Sequence, residues 1–281
     1  HIDKCIINNM GSVTHLTGGG AYFAVFAARQ SGVTPCMVTK VAPEDQTLLE
    51  PVKAAGIDVI AIPSPKTTSM LNTFETVDPD QRQVQLLSQA DPFCRADLPD
   101  LKTKIYSLAG LFSGEFPDCL ISELAGKAKV ALDLQSVLRT NVAGKFVWQD
   151  WADKRKYLPY ITYLKADSQE AEVITGCKDR EKAAWLLAQW GAREVMVSHS
   201  SEVIVCDGRQ IYRAPFTPRN LSGRTGRGDT VFSSYLAWRF NHDVAESLRY
   251  SAALTSLKME RPGPFQGTIA EVLARVAADS N

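Results

Sequence analysis

The residues best placed to do chemistry lie between Leu221 and Phe240, where Gly223, Gly226 and Gly228 fall within six residues and Asp229 follows at once. Beyond them Val231, Phe232, Tyr235, Leu236 and Trp238 recur at three- and four-residue steps, the spacing of one buried helix face. A glycine loop entering a helix N-terminus presents N–H groups that no helical carbonyl satisfies, and the helix dipole adds partial positive charge. Such a loop suits a phosphate. An acid in the first helical turn stands beside the bound anion and can take a proton from an acceptor hydroxyl as a phosphoryl group moves. A P-loop is excluded, because alignment on Thr230 puts Asp229 where that motif needs a lysine.

The elements that must position this loop alternate between strand and helix patterns. Strands are expected over 36–41, 57–62, 105–109, 129–134, 161–165 and 194–198. Helices are expected over 44–55, interrupted at Pro51, over 118–125, and from an Asp179 cap through Trp190. Strands over 203–206 and 210–213 pair across Asp207-Gly208, a hairpin signal. Asp243 and Glu246 form a capping box for a helix through Lys258. Repeated units of this kind argue for an α/β fold with a mostly parallel sheet covered on both faces. The segment 63–92 differs, with two β-compatible stretches joined by Asp78-Pro79-Asp80, and reads as a hairpin that is either a lid over a cleft or an ordinary edge. No linker divides the chain, so residues 1–281 read as a single domain with that small addition.

In an open α/β sheet the ligand lies beyond the carboxyl ends of the strands. Polar residues there are Asp133, Gln135 and Arg139 after one strand, Asp167 and Glu170 after the next, and Ser198, His199 and Ser200 after a third. Each has a plainer reading. Asp167 can simply cap a helix and Glu170 lie on its surface, while His199 has no partner acid or nucleophile near it in sequence. Gly18-Gly19-Gly20 opens another apolar helix, stopped by Gly32. Phe23 stands where G-x-G-x-x-G needs its last glycine, so the dinucleotide fingerprint fails, and the run serves either tight packing or close approach of a ligand. The Arg227-Gly228-Asp229 tripeptide carries no adhesion argument at the head of a helix.

Composition removes other classes. The chain of 281 residues balances 31 basic against 31 acidic side chains, leaving sequence-independent nucleic-acid binding without support. The longest nearly unbroken apolar run, 21–28, is too short to span a bilayer. Six scattered cysteines with no C-x-x-C pair point to reduced thiols and a cytoplasmic location. The chain begins at His1 rather than methionine, so a first strand or a targeting segment ahead of it is an open expectation.

The run Thr225 to Thr230, T-G-R-G-D-T, resembles the D-T-x-G-A-G-D signature of the ribokinase (PfkB) sugar-kinase family. Lys165 to Gly176 is similar to its N-x-x-E motif, with Asp167 in place of Asn and Glu170 retained, and Asp133 to Arg139 is similar to its D-x-N-x-R stretch. The likeness covers nearly the whole chain. It implies a three-layer αβα sandwich with a small β-sheet lid, formed by about residues 8–17 and 63–92, and ATP-dependent phosphorylation of a hydroxyl with Mg²⁺. Asp229 would be the base and Gly226, Arg227 and Gly228 the anion hole. Asp3, Gly19, Gly20, Asp133, Gln135 and Arg139 would bind substrate. Ser198, His199, Ser200, Arg224 and Thr225 would bind nucleotide, and Asp167 with Glu170 would organise the metal. The expected partner is a small sugar or polyol, with the protein a monomer or a lid-mediated homodimer.

Two departures stand out. Gly223 replaces the first acid of the signature, which in many relatives helps bind an activating monovalent cation, and Arg224 could supply that charge instead. Arg227 replaces a small residue in the anion hole, either to clamp phosphate or to form a surface pair. Both departures resemble the branch that contains myo-inositol kinases. A nucleoside kinase is the competing expectation, although Phe74 is the one obvious aromatic in the lid segment. A homologue that binds ligand without catalysis is the other.

Overall fold

The computed structural model describes residues 2–9, 11–74 and 82–279. The Asp78-Pro79-Asp80 turn lies outside them, as does the side chain of Phe74.

The main sheet has six strands in the spatial order Ile211–Pro215, Glu202–Cys206, Glu194–Ser198, Tyr163–Asp167, Lys129–Asp133 and Ile105–Leu108. The last four run parallel, and the first two add on antiparallel. A separate parallel pair, Cys36–Val41 with Asp58–Pro63, lies apart from it. Alternation along the strands explains why both faces are covered. Val130, Leu132, Leu164, Ala166, Val195 and Val197 bury against the helices Cys119–Ala125, Ser168–Thr175 and Arg180–Gln189. Ala131, Tyr163, Met196, Val203 and Val205 face the opposite way, toward Arg227–Trp238 and Val244–Met259. This is the three-layer αβα sandwich that the sequence resemblance implies, with helices on two sides of the sheet.

A second six-stranded sheet comprises Ser12–Gly18, Asp3–Asn9, Ser69–Phe74, Arg82–Ser88, Lys145–Trp148 and Arg139–Val142 in that order. It has as many strands as the main sheet, and it draws in the 139–148 hairpin, which the sequence reading left out. The hairpin turns at Ala143 and Gly144, both with positive φ (52° and 84°). A tight turn of this kind is ordinarily signalled by Asn-Gly, and an alanine at its first position hides it.

Two local expectations shift. Pro51 does not interrupt a helix. A 3₁₀ segment over Pro43–Leu49 leads into Glu50–Ala54, where Pro51 occupies the first turn and needs no N–H partner. The strand expected over 161–165 begins two residues later, after a 3₁₀ turn at Leu158–Tyr160, and so ends on Asp167 itself. Asp167 thereby pairs in register with Ser198 at the carboxyl edge of the parallel strands.

Candidate active site

The glycine loop is shaped by helix packing. Gly226 is the N-cap of Arg227–Trp238, in the left-handed region at φ 80°, with no side-chain cap. A Cβ there would lie 2.3 Å from the Phe23 ring, so the position requires glycine for conformation and for space. Phe23, the residue that breaks the dinucleotide pattern, is the floor under the loop. The Arg227 N–H turns back to the Arg224 carbonyl (3.3 Å), and the Arg227 guanidinium lies 6.0 Å from the Phe216 ring centroid.

Asp229 stands in the first turn, partly accessible, with the N-terminal glycine run against it. A Cβ on Gly20 would fall 2.8 Å from Asp229 Oδ1 and 3.1 Å from the Ala109 carbonyl oxygen. Burial holds the Asp229 carboxyl above the ordinary carboxylate range and the Asp133 charge adds to this, while Lys165 and Lys258 pull it back.

Behind the loop sits a buried charge cluster. Lys165 Nζ is 3.0 Å from Asp133 Oδ2 and 3.6 Å from Glu170 Oε2, and a Cβ on Gly228 would lie 3.1 Å from it. Burial alone would lower the ammonium pKa, but Asp133, Glu170 and Asp167 outweigh that and hold it well above its usual value. Asp167 caps Ser168–Thr175 through a reciprocal box. Its Oδ1 accepts from the Glu170 N–H at 2.8 Å, and Glu170 Oε2 accepts from the Asp167 N–H at 2.7 Å. The capping reading of Asp167 is therefore correct as local structure, but Glu170 is not a surface residue. It is 1% exposed, and burial raises its pKa.

A second polar group lies toward the second six-stranded sheet. Asp3 is 2% exposed, and its Oδ1 has no hydrogen-bond partner among the described residues. Arg139 donates to Gln135 Oε1 (3.2 Å) and Met70 Sδ (3.4 Å) and stacks 4.2 Å from the Phe146 ring centroid. Asp133 Oδ1 accepts from the Gln135 N–H at 3.1 Å, and Gln135 Nε2 donates to the Gly110 carbonyl at 3.3 Å. The structure thus links Asp133, Gln135 and Arg139 in one chain of contacts, while Gly19, at φ 101°, caps the helix that begins at Gly20. Burial pushes Asp3 up to about 7. An acid whose folded pKa is raised stabilises the fold below its unfolded value, near 3.8, and that contribution is lost as pH rises to about 7. Asp3→Asn is therefore expected to leave stability unchanged at pH 3 and to raise it at pH 8 by on the order of 4 kcal/mol. Urea melts at the two pH values check this.

The turn expected to bind nucleotide follows the strand beside Asp167, and the Ser168 hydroxyl donates to the Ser198 carbonyl at 3.3 Å. Ser198 is buried and its hydroxyl donates to the Ala166 carbonyl at 3.5 Å, whereas His199 and Ser200 are exposed. His199 Nδ1 lies 3.1 Å from Ser201 Oγ and 3.3 Å from Ser200 Oγ, a local turn network. Thr225 is exposed and Arg224 half-buried, both in the loop ahead of the helix.

Sequence reasoning missed three residues. Lys165 interrupts an otherwise apolar buried strand, and Lys258 sits in the buried run from Tyr250 to Met259, with the half-buried Leu257 just ahead of it. A lysine inside a buried run was the available signal in both cases. Glu115, 1% exposed, accepts from the Leu111 N–H beside Gly110, in a loop that gave no periodic signal.

The profile of the pfkB family carbohydrate kinases matches residues 3–269. The chain belongs to this family. Among solved structures, a sulfate complex of a pyrophosphate-dependent kinase in the ribokinase family is 34% identical, with a TM-score of 0.91, covering 98% of each chain. A pyrophosphate-dependent kinase complexed with a pyrophosphate analog and myo-inositol is 32% identical, with a TM-score of 0.90, covering 98% of this chain and 97% of its own. Ribokinase of Arabidopsis thaliana, complexed with ribose and ATP, has a TM-score of 0.77 at 16% identity over 98% and 96% of the chains, and so shares the fold. A cytidine kinase of Thermococcus kodakarensis is 31% identical over 86 residues, 30% of this chain. That match spans about a third (31%) of the relative's length. Among the described residues no helix of this pfkB-family protein is long and apolar enough to cross a membrane.

Proposed function

We propose that this protein phosphorylates a hydroxyl of a cyclic polyol, with myo-inositol the first candidate acceptor and pyrophosphate the donor. The carrying observation is Asp229 in the first turn of an N-terminus that no side chain caps, with Gly20 leaving room beside its carboxylate. Asp229 takes the acceptor proton, the freed oxygen bonds to phosphorus, and the bond from phosphorus to the bridging oxygen of pyrophosphate breaks to release orthophosphate. First-turn N–H groups at Gly228 and Asp229 would hold the charge that develops. Asp3, whose buried Oδ1 has no partner among the described residues, and Arg139 would hold substrate hydroxyls.

The donor departs from the ATP that the motif resemblance implies. Two structures 32–34% identical to this chain are of pyrophosphate-dependent kinases, one of them with myo-inositol. A donor without adenosine must draw its affinity from charge. Arg224 and Arg227 put two guanidinium groups into the loop, at the Thr and Ala positions of the D-T-x-G-A-G-D signature it resembles.

Asp133, Asp167 and Glu170 place three carboxylates around the single ammonium of Lys165, an excess of negative charge that fits a divalent cation. Among the described residues no three ligating side chains converge, so Asp167 and Glu170 would hold Mg²⁺ through its water shell. Bound there, Mg²⁺ would neutralise phosphate charge.

The test is an assay of orthophosphate or ADP release with pyrophosphate or ATP against myo-inositol, ribose and cytidine. Pyrophosphate with myo-inositol should give a kcat/KM at least about tenfold above every other pairing, the range of modest specific recognition. A preference for ATP would restore the motif-based donor. A preference for cytidine would favour the nucleoside-kinase reading, for which the 86-residue similarity to a cytidine kinase is the specific support.

A further inference from the structure

The Lys258 side chain enters the glycine loop from behind. It is 2% exposed, and its ammonium donates to the carbonyl oxygens of both Gly223 and Thr225, with the face of Phe23 5.1 Å away. The backbone reinforces the grip. The Gly223 N–H donates to the Met259 carbonyl at 2.8 Å, and a Cβ on Gly223 would sit 1.7 Å from the Arg261 carbonyl oxygen. Lys258 belongs to the last turn of Val244–Met259, where a helix C-terminus favours a cation. Two loop carbonyls, a ring face and a helix C-terminus therefore converge on one buried positive charge.

We propose that Lys258 is a built-in cation that positions the anion-binding loop, so that the loop needs no monovalent metal ion to hold its shape. The proposal rests on the phosphoryl-transfer reading for its function but not for its geometry. Without a cation the Gly223 and Thr225 carbonyls would face each other uncompensated in a buried space, and the Gly226 turn between them and the helix would lose its anchor. The ammonium also lies close enough to interact with Asp229, the one titratable group that offsets the burial pulling Lys258 down to about 8. Arg224, which the sequence suggested for this charge, contributes its carbonyl to the Arg227 N–H in the same loop, while the Lys258 ammonium sits on the carbonyls on either side of it.

Chemical rescue tests the idea. Lys258→Ala leaves a cation-sized space lined by carbonyl oxygens, whereas Lys258→Met fills it without charge. Wild-type pyrophosphate affinity by calorimetry, and turnover, should be the same within twofold in potassium, ammonium and choline chloride at equal ionic strength. Lys258→Ala should lose tenfold or more in affinity in choline and recover at least threefold in ammonium or potassium. Lys258→Met should lose affinity and recover nothing. Wild-type activation of fivefold or more by potassium would overturn the proposal, as would Lys258→Met with wild-type affinity or an Ala variant indifferent to every cation. If wild type neither binds nor consumes pyrophosphate, the functional reading fails on its own, and thermal melting decides the proposal. Ammonium should then raise the Tm of Lys258→Ala relative to choline and leave wild type unmoved, and equal shifts in both would sink it.

Discussion

Asp229→Asn is expected to cut turnover by about 10²–10⁴-fold, the range lost with a general base, while pyrophosphate affinity stays within a few-fold of wild type. The asymmetry follows from position. Asp229 lies in the first turn of a helix whose uncapped N-terminus would face the donor, and the neighbouring Gly228 amide would serve binding whatever the side chain at 229 is. The carboxylate acts only when the acceptor proton leaves, and asparagine preserves shape without basicity. It also removes a negative charge from beside the phosphate site, which should favour the donor slightly. The same carboxyl must be ionised to work, and burial with the Asp133 charge raises its pKa. Wild-type kcat should therefore fall on the acid side at a pH above the usual carboxylate range, and the limb should vanish from any residual Asp229→Asn rate. Stopped assays across pH check both points. A variant within tenfold of wild type would remove Asp229 from the proton transfer.

What the sequence disclosed about this site follows a physical boundary. Features set by neighbouring residues were legible. The Asp243–Glu246 capping box, the Asp179 cap and the strand Glu194–Ser198 depend on side chains within one turn or on simple alternation. The loop at Gly226 and the acid after it were legible for the same reason. Features set by partners distant in the chain were not. Phe23 read as a failed glycine because its reason, the close approach of Gly226, comes from the far end of the sequence. Lys165 and Lys258 read as ordinary lysines, since their partners Asp133, Gly223 and Thr225 lie tens of residues away. The second six-stranded sheet was half legible. Its 69–88 hairpin announced itself, but Arg139–Val142 and Lys145–Trp148 sit behind a turn whose left-handed alanine gives no signal.

The second large effect concerns stability rather than rate. Lys165→Met should destabilise the fold by about 3–5 kcal/mol at pH 8, the cost of removing one partner from a buried ion pair. The methionine retains most of the volume, so a cavity contributes little. What remains is charge. Asp133 and Glu170 are both buried, and Glu170 is already raised by burial and by the acids around it, with Lys165 as the offsetting cation. Without the ammonium their repulsion is uncompensated, and the folded pKa of Glu170 rises further. The sign of the pH dependence follows. An acid with a raised folded pKa penalises the fold only where the unfolded chain would be ionised, so the loss should shrink as pH falls toward 5 and Glu170 takes a proton. Urea melts of wild type and variant at pH 5 and pH 8 should therefore converge at the lower value. A penalty that is flat across this range would mean that Lys165 stabilises by packing rather than by charge.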